Sequence, residues 1–288
     1  MDFSETGLLA LEHGAFMARL FKADVYLLHV VEVFQYALVT YDPMMMIDTS
    51  ETEKLATKNL NDLAQDISKK YGIKITPIVS LGNVSTEVKN AAKDNKIDII
   101  IMGTHGVKGF SEFFIGSNAH KTATISPCPV ITIQTHTQHV GFTNIVMPID
   151  NTIHSRQKVD RVIELASKYA AKVHILGLIN TNENIDKNKL NIKIDAVEKA
   201  VKKAGLAYER HTTKGKNLAT ETMNYADKVN ADLIVIMTDH ESDITGMFLG
   251  GFAKQIINHS KIPIMSIKPV EGHYEFIDLS ASSNPFNE

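Results

Sequence analysis

The residues whose types and spacing could do chemistry lie between positions 103 and 117, in the sequence GTHGVKGFSEFFIGS. Gly103 and Gly106 stand three residues apart after an apolar run, and Gly116 and Ser117 open a predicted helix. Glycine lets the backbone approach a ligand closely. A helix start offers N–H groups and the positive end of the helix dipole to an anion. The spacing therefore predicts a phosphate-binding loop.

Two other phosphate patterns are missing from the sequence. The loop has no Gly-Lys-[Ser/Thr], so it is not a Walker A motif, and no GxGxxG follows the first strand, which disfavours a dinucleotide. Gly103 and Gly106 alone would indicate a turn without a ligand, but Gly116 and Ser117 at a helix start favour phosphate binding. The histidines near the loops come with no nucleophile or partnering acid, so we predict no catalytic residue.

The elements that must position this loop occur twice along the chain. Three pairs of segments match in order: KADVYLLHVVE (22–32) with AAKVHILGLIN (170–180), KIDIIIMG (96–103) with NADLIVIM (230–237), and SPCPVITIQ (126–134) with SKIPIMSIK (260–268). The first pair is offset by 148 residues and the other two by 134. The difference places a longer loop in copy one, after the strand at 25–31. The chain is therefore an internal repeat.

Within each copy, short apolar runs alternate with amphipathic stretches. Ile97–Met102 is nearly continuous apolar sequence, as expected of a parallel strand buried on both faces. Ser85 is the expected N-cap of the helix before it, and copy two is expected to have a helix over Ser155–Tyr169. The alternation predicts an α/β fold of two tandem, doubly wound, Rossmann-like parallel-sheet domains. Their predicted bounds are 1–137 and 141–270, followed by a C-terminal tail at 271–288.

Copy one lacks a strand that copy two has. Copy two opens with TNIVMPID (143–150), a strand that ends at Asp150 and precedes a helix, whereas copy one starts at Met1, so that Asp2 matches Asp150. A first strand usually lies centrally in a doubly wound sheet, and its loss exposes two strand edges. We expect the chain to be truncated upstream. In the alternative, the tail segment Tyr274–Leu279 fills the gap.

In its glycine loop and in several flanking segments, the sequence resembles the universal stress protein family, whose signature is G-x2-G-x9-G-[S/T]. Gly103, Gly106, Gly116 and Ser117 match the signature without a gap. DFSE (2–5), LLHVVE (27–32), IIIMGTHG (99–106) and SPCPVITI (126–133) are also similar to that family. The resemblance covers nearly the whole chain, as a tandem-domain member. It implies five-stranded parallel sheets in the order 3-2-1-4-5, with ATP or AMP at the carboxyl edge.

The resemblance also implies a set of nucleotide-binding residues in copy one. From the adenosine to the phosphates they are Asp2, the backbone of Val30, Met102, Gly103, Gly106, Gly116, Ser117 and Asn118. Val130–Ile133 and Ile264–Ile267 would pair across a pseudo-twofold axis and join the two domains as an intramolecular pseudo-dimer. No metal ligand is predicted, while Mg²⁺ accompanying the nucleotide and a further homodimer are left open.

Copy two departs from the signature. At offset 134, Met237 replaces Gly103, His240 replaces Gly106, Gly251 replaces Ser117, and Gly250 matches Gly116. Side chains at the first two positions obstruct the approach of a phosphate. Asp239, Glu241 and Asp243, expected in a solvated loop, add negative charge that repels an anion. We therefore predict nucleotide binding in copy one only.

Composition narrows the class of protein. Hydrophobic residues make up 44% and charged residues 22%, as in ordinary globular chains, and the net charge of −3 provides no electrostatic reason to expect nucleic acid or an anionic membrane as a partner. Cys128 is the single cysteine, so no internal disulfide can form, and no apolar run reaches transmembrane length. We expect a cytoplasmic protein.

These observations lead to three hypotheses of function. The first is an adenine-nucleotide-binding protein with a regulatory role in the stress response. The second is an enzyme that hydrolyses ATP slowly, using Ser117 and a metal ion, with Asp2 as the nearest obvious acid. The third is an interaction scaffold without nucleotide, in which the glycine loop is vestigial in both halves.

Overall fold

A computed structural model describes residues 1–32, 50–104, 116–135, 137, 139–181, 187–238, 240–243 and 246–270. The elements of copy one are, in chain order, α1 (Glu5–Phe21), β1 (Val25–Val31), α2 (Ser50–Tyr71), β2 (Ile75–Leu81), α3 (Val84–Asp94), β3 (Ile100–Gly103), α4 (Ser117–Ile125) and β4 (Val130–Ile133). Those of copy two are β5 (Asn144–Ile149), α5 (Val159–Tyr169), β6 (Lys172–Asn180), α6 (Lys187–Lys203), β7 (Tyr208–Gly215), α7 (Leu218–Lys228), β8 (Leu233–Met237), β9 (His240–Asp243), β10 (Gly246–Leu249), α8 (Gly251–His259) and β11 (Ile264–Ile267).

Copy two is a complete doubly wound sheet. Its strands lie in the order β11-β8-β5-β6-β7, and all four neighbouring pairs are parallel. Counted from the first strand of the copy, this is the predicted order 3-2-1-4-5. β5, β6 and β8 are buried over most of their length because helices cover both sides, whereas the edge strand β7 is largely exposed.

Copy one is split into two pieces. β1 and β2 form a separate two-stranded parallel sheet, while β3 and β4 belong to the seven-stranded sheet of copy two. β4 pairs antiparallel with β11, which confirms that the last strands of the two copies join the domains. Among the described residues, no strand lies between β1 and β3, where β5 lies in copy two. Two strand edges are therefore open, as the comparison of the two copies predicts.

Three local predictions are wrong. Ser85 is not a helix cap: Asn83 is the N-cap of α3, its side chain accepts the Thr86 N–H, and the Ser85 hydroxyl donates to that same side chain. The helix predicted over Ser155–Tyr169 starts at Val159, after a run of turns. The strand predicted over Ile97–Met102 begins only at Ile100 and is half-buried. The loop predicted after β8 includes an antiparallel hairpin of β9 and β10, and its exposure to solvent stays a prediction.

The N-terminal helix is positioned by its caps. The Ser4 hydroxyl accepts the Gly7 N–H at 3.1 Å, and Glu5 lies in the first turn, where the helix dipole favours a negative charge. Lys22 ends the helix in the left-handed conformation, with φ +54°. Because the N-cap residue Ser4 donates its N–H and its hydroxyl to Asp2, the N-cap also sets the position of the Asp2 side chain.

His13 of α1 makes the stability of the protein depend on pH. Its ring is buried where copy one meets copy two, with its centroid 5.4 Å from that of Phe142. Burial, with a smaller contribution from the charge of His139, lowers the pKa of His13 to about 4. Since the unfolded-state pKa is about 6.5, this contribution to stability is complete above pH 6.5 and is lost as the pH falls towards 4.

We expect the free energy of unfolding to fall by about 2 kcal/mol between pH 7 and pH 5 because of His13 alone. Urea denaturation at a series of pH values measures this slope. The variant His13→Phe keeps a ring beside Phe142 and removes the titration, so its slope should be shallower by that amount. Parallel curves for the two proteins would show that His13 is not responsible.

Candidate functional site

A groove of about 1430 Å³ opens between β1 and β3 in copy one. It runs from the amino ends of these strands to their carboxyl ends, with α1 on one face and α3 and α4 on the other. Seven of the eight predicted nucleotide-binding residues line it: Asp2, Val30, Met102, Gly103, Gly116, Ser117 and Asn118. Gly106 lies outside the described residues. The fold thus brings the predicted residues to one edge, and their role in binding stays a prediction.

Asp2 is fixed by a tight turn at the mouth of the groove. One carboxylate oxygen, Oδ1, accepts the backbone N–H of Ser4 at 3.1 Å and its hydroxyl at 2.7 Å. Among the described residues, nothing donates to the other oxygen. Copy two repeats this turn, because Asp150 Oδ1 accepts the N–H and hydroxyl of Thr152 at 2.9 and 2.6 Å. Asp2 can therefore offer a free carboxylate oxygen to a ligand hydroxyl.

The residue before Asp2 is tied to β1. The Met1 amino group donates to the Leu28 carbonyl, and the His29 ring donates from Nδ1 to the Met1 carbonyl at 2.5 Å. Burial lowers the pKa of the Met1 amino group, and the negative charge of Asp2 opposes the shift. Asp2 is thus anchored on β1 on one side and on α1 on the other.

The glycines of the loop are also required by the packing of the chain itself. A Cβ on Gly103 would lie 3.0 Å from Thr6 Cγ2 and 3.1 Å from the Thr6 carbonyl oxygen. A Cβ on Gly116 would lie 2.7 Å from the Thr104 carbonyl oxygen. Close approach of a ligand is therefore not the only reason for glycine here. Gly103 lets α1 start against β3, and Gly116 lets the returning loop touch Thr104.

The Gly116 N–H is not free for phosphate, contrary to the expectation from the helix start. It donates to the Thr104 carbonyl at 2.7 Å and closes the base of the loop. Gly116 is instead the N-cap of α4, and no described side chain caps this helix. The N–H groups of the next three residues, Ser117, Asn118 and Ala119, all of which line the groove, have no partner among the described residues. An anion fits there because these donors and the helix dipole are unsatisfied.

Sequence reasoning missed Thr104, which ties the end of β3 to the end of β4 and accepts the Gly116 N–H. Its N–H donates to the Ile133 carbonyl at 3.0 Å, and its buried hydroxyl donates to Gln134 Oε1 at 2.9 Å. Thr238 occupies the same position in copy two and donates in the same way to the Ile267 carbonyl. A threonine kept in both copies after the fourth strand was the available signal.

The corresponding edge of copy two is built differently. Met237 stands where Gly103 lets α1 begin, and its side chain is buried in the core. α5 begins at Val159, whereas the position equivalent to Glu5 is 153. At the equivalent position in copy one, a Cβ on Gly103 would already contact Thr6 in the first turn of α1. No group of histidine, cysteine or acidic residues in the described part of the chain could hold a metal ion.

The fold and the site's position define the class: a tandem, doubly wound α/β protein with a groove between β1 and β3 that reaches the carboxyl edge of copy one. Residues 1–134 and 141–268 match the Universal stress protein family, and the chain belongs to that family. It is 28% identical over 141 residues to universal stress protein YxiE of Bacillus subtilis, covering 46% of this chain and 95% of that protein. It is 29% identical over 146 residues to universal stress protein MJ0577 of Methanocaldococcus jannaschii, covering 46% and 90%.

Solved structures agree on the tandem fold. A universal stress protein from Archaeoglobus fulgidus superposes with a TM-score of 0.73 at 19% identity, covering 94% of this chain and 95% of that one. A universal stress protein from Pseudomonas aeruginosa superposes with a TM-score of 0.68 at 16% identity, covering 91% and 88%. At these identities the likeness concerns the fold alone. Within the described residues, no helix combines the length and apolarity needed to cross a bilayer.

Proposed function

We propose that this protein binds an adenine nucleotide, ATP or AMP, in copy one and that occupancy of this site regulates its interactions in the stress response. The observation that carries the proposal is the uncapped N-terminus of α4, which faces the same groove as the free carboxylate oxygen of Asp2. The carboxyl end of the groove thus offers both donors to an anion, at the start of α4, and an acceptor to a hydroxyl, at Asp2. A nucleotide carries both groups.

The roles of the residues follow from their chemistry. The N–H groups of Ser117 and Asn118, together with the Ser117 hydroxyl, would hold the phosphates. Asp2 would accept a ribose hydroxyl. The backbone of Val30, near the end of β1, would meet the base. Met102 and Gly103 would form the floor of the nucleotide site, because they end β3 at the carboxyl edge where the other residues lie.

Copy two is proposed to bind no nucleotide. Met237 replaces the glycine at the end of the fourth strand, and the backbone that follows folds into β9 and β10. Isothermal titration calorimetry tests the proposal: we expect one ATP or AMP per chain. Two sites per chain would contradict the restriction to copy one, and the absence of heat with either nucleotide would contradict binding altogether.

We also propose that the protein is cytoplasmic. Its single cysteine, Cys128, cannot form an internal disulfide, which fits a reducing compartment.

Exchange of Asp2 for asparagine should weaken nucleotide binding about 10-fold, because a neutral amide replaces the carboxylate that accepts the ribose hydroxyl. Asparagine keeps Oδ1 as the acceptor for Ser4, so the turn should survive. Asp150→Asn is the matched control, since Asp150 makes the same turn with Thr152 in copy two. Titration of both variants by calorimetry should give wild-type affinity for the control. Equal losses of affinity in the two variants would contradict the assignment of Asp2 to the ribose hydroxyl.

A further inference from the structure

We propose that the acidic tail segment 271–279 of this chain docks on the carboxyl edge of copy two. The acceptor, called the tail-binding surface below, consists of Ile153, Arg156, Gln157, Lys189, Lys193 and Val270. Residues 271–288 lie outside the described residues, so the reasons come from this surface, from the place where the described chain ends and from the tail sequence. The surface lies in copy two and is separate from the nucleotide site proposed in copy one.

The described chain ends directly on this surface. After β11, the Gln157 side-chain amide holds the backbone of Val270: the Val270 N–H donates to Gln157 Oε1 at 2.9 Å, and Gln157 Nε2 donates to the Val270 carbonyl at 3.2 Å. Gln157 belongs to the run of turns between β5 and α5, at the carboxyl end of β5. Residue 271 therefore leaves the fold beside the carboxyl edge of copy two.

Three cations gather around the same turns. Lys193 of α6 donates from Nζ to the two backbone carbonyls at 151–152, at 2.7 and 2.9 Å. Burial lowers the pKa of Lys193, and the positive charges of Arg156 and Lys189 lower it further. The negative charge of Asp150 opposes this shift. Because like charges held close together repel one another, this edge attracts an acidic segment.

The repeat shows that these cations are particular to copy two. Arg156 is compared with copy one at the offset of 148, and Lys189 and Lys193 at the offset of 133 that relates 202–208 to 69–75. The equivalent residues of copy one are all uncharged: Leu8, Ala56 and Leu60. The fold itself therefore does not require positive charge at these positions.

Exposed apolar side chains accompany the cations. Ile153 is 59% exposed and Val270 is 56% exposed. Ile153 directly follows the turn that Lys193 contacts, and Val270 is bound to the same run of turns through Gln157. A single exposed apolar residue is ordinary, but two of them beside three cations form a mixed surface. Such a surface matches a segment in which acidic and apolar residues alternate.

The tail supplies that chemistry within reach of the surface. Residues 271–279 read EGHYEFIDL, with acids at 271, 275 and 278 and large apolar residues at 274, 276, 277 and 279. Nine extended residues span up to about 30 Å. That length can follow the edge of a five-stranded sheet, because neighbouring strands lie about 4.8 Å apart. A short tether also gives the segment an effective concentration of about millimolar at the surface.

A single tryptophan in the full chain tests the contact, because the sequence contains no tryptophan of its own. Phe276→Trp reports on the docking segment, and Phe286→Trp is the matched control further along the tail. Without nucleotide and at low salt, we expect Phe276→Trp to emit at a shorter wavelength and to be quenched less by acrylamide than Phe286→Trp. Salt at 1 M, which limits electrostatic attraction to about 3 Å, should move the emission of Phe276→Trp towards the control. Equal emission and equal quenching in the two variants would overturn the proposal.

Ile153→Asp provides the second readout, since it places a negative charge on the tail-binding surface. Added to Phe276→Trp, it should shift the emission to that of the control, whereas Leu55→Asp, at a position of copy one that is 60% exposed, should leave the emission unchanged. A short-wavelength emission that survives Ile153→Asp would overturn the proposal, because the tail would then lie elsewhere, as it would if Tyr274–Leu279 filled the gap in copy one. An emission that depends on protein concentration would also overturn it, because a second copy would then supply the tail. None of these outcomes depends on nucleotide binding.

Discussion

Replacing Asp232 by alanine should lower the free energy of unfolding by about 3 kcal/mol, because one buried carboxylate accepts several hydrogen bonds that tie β5 to β8. Its partners are the N–H and hydroxyl of Thr143 and the N–H of Asn144, with His139 Nε2 3.3 Å from Oδ2. Removing the carboxylate leaves these donors without their acceptor at the start of the central strand. Urea denaturation at pH 7 measures the change.

The repeat supplies a matched control for this prediction. Asp98→Ala removes the equivalent carboxylate from copy one, where it is exposed and where no described strand reaches it. Exposed substitutions without such partners usually change stability by less than about 0.5 kcal/mol. Similar losses for the two variants would mean that the acid matters to β8 or β3 itself rather than to the strand that it caps.

Changing Gly116 to alanine should weaken nucleotide binding about 100-fold, equivalent to about 2.7 kcal/mol and to the loss of one or two charge-assisted hydrogen bonds. The new Cβ would lie 2.7 Å from the Thr104 carbonyl oxygen, the same atom that accepts the Gly116 N–H. Backbone must move to relieve this contact, and the movement displaces the N–H groups of Ser117 and Asn118. Calorimetric titration with ATP measures the affinity.

Gly251→Ala is the control for the helix start. Gly251 begins α8, and among the described residues beyond its own helix and chain neighbours no heavy atom lies within 4 Å of the Cβ that alanine would add. Alanine there should leave nucleotide affinity unchanged and stabilise the chain slightly, because it reduces the freedom of the unfolded backbone. Wild-type affinity in Gly116→Ala would show that the base of the loop does not position the phosphate donors.

The two copies divide structure and chemistry between them. Copy two has the complete sheet and a methionine where the glycine would be, whereas copy one has the glycines and an open groove. Asp2 and the free N–H groups of α4 lie at one end of that groove. The proposed nucleotide site therefore lies at the carboxyl end of the groove between β1 and β3.

Much of the architecture could be predicted from the sequence because it is recorded in local patterns. The apolar run over 97–102 and its counterpart at 233–237 predict parallel strands, although β3 is shorter than the run and only half-buried, and the offsets between segments reveal the repeat. The glycine spacing located the loop, and alignment of the chain with itself predicted the two open strand edges at β1 and β3. These features depend on residues close in sequence or on identity between copies.

Only the tertiary structure decided which hydrogen-bond partners, steric contacts and burial these residues have. The Gly116 N–H is occupied by Thr104, Gly103 faces Thr6, and Asp98 and Asp232 differ in burial although they hold the same place in the repeat. Each of these contacts joins residues that are distant in the sequence, or depends on a strand that is described in only one of the two copies. Sequence periodicity reports which face of an element is apolar, but hydrogen bonding and steric fit depend on which element packs against it.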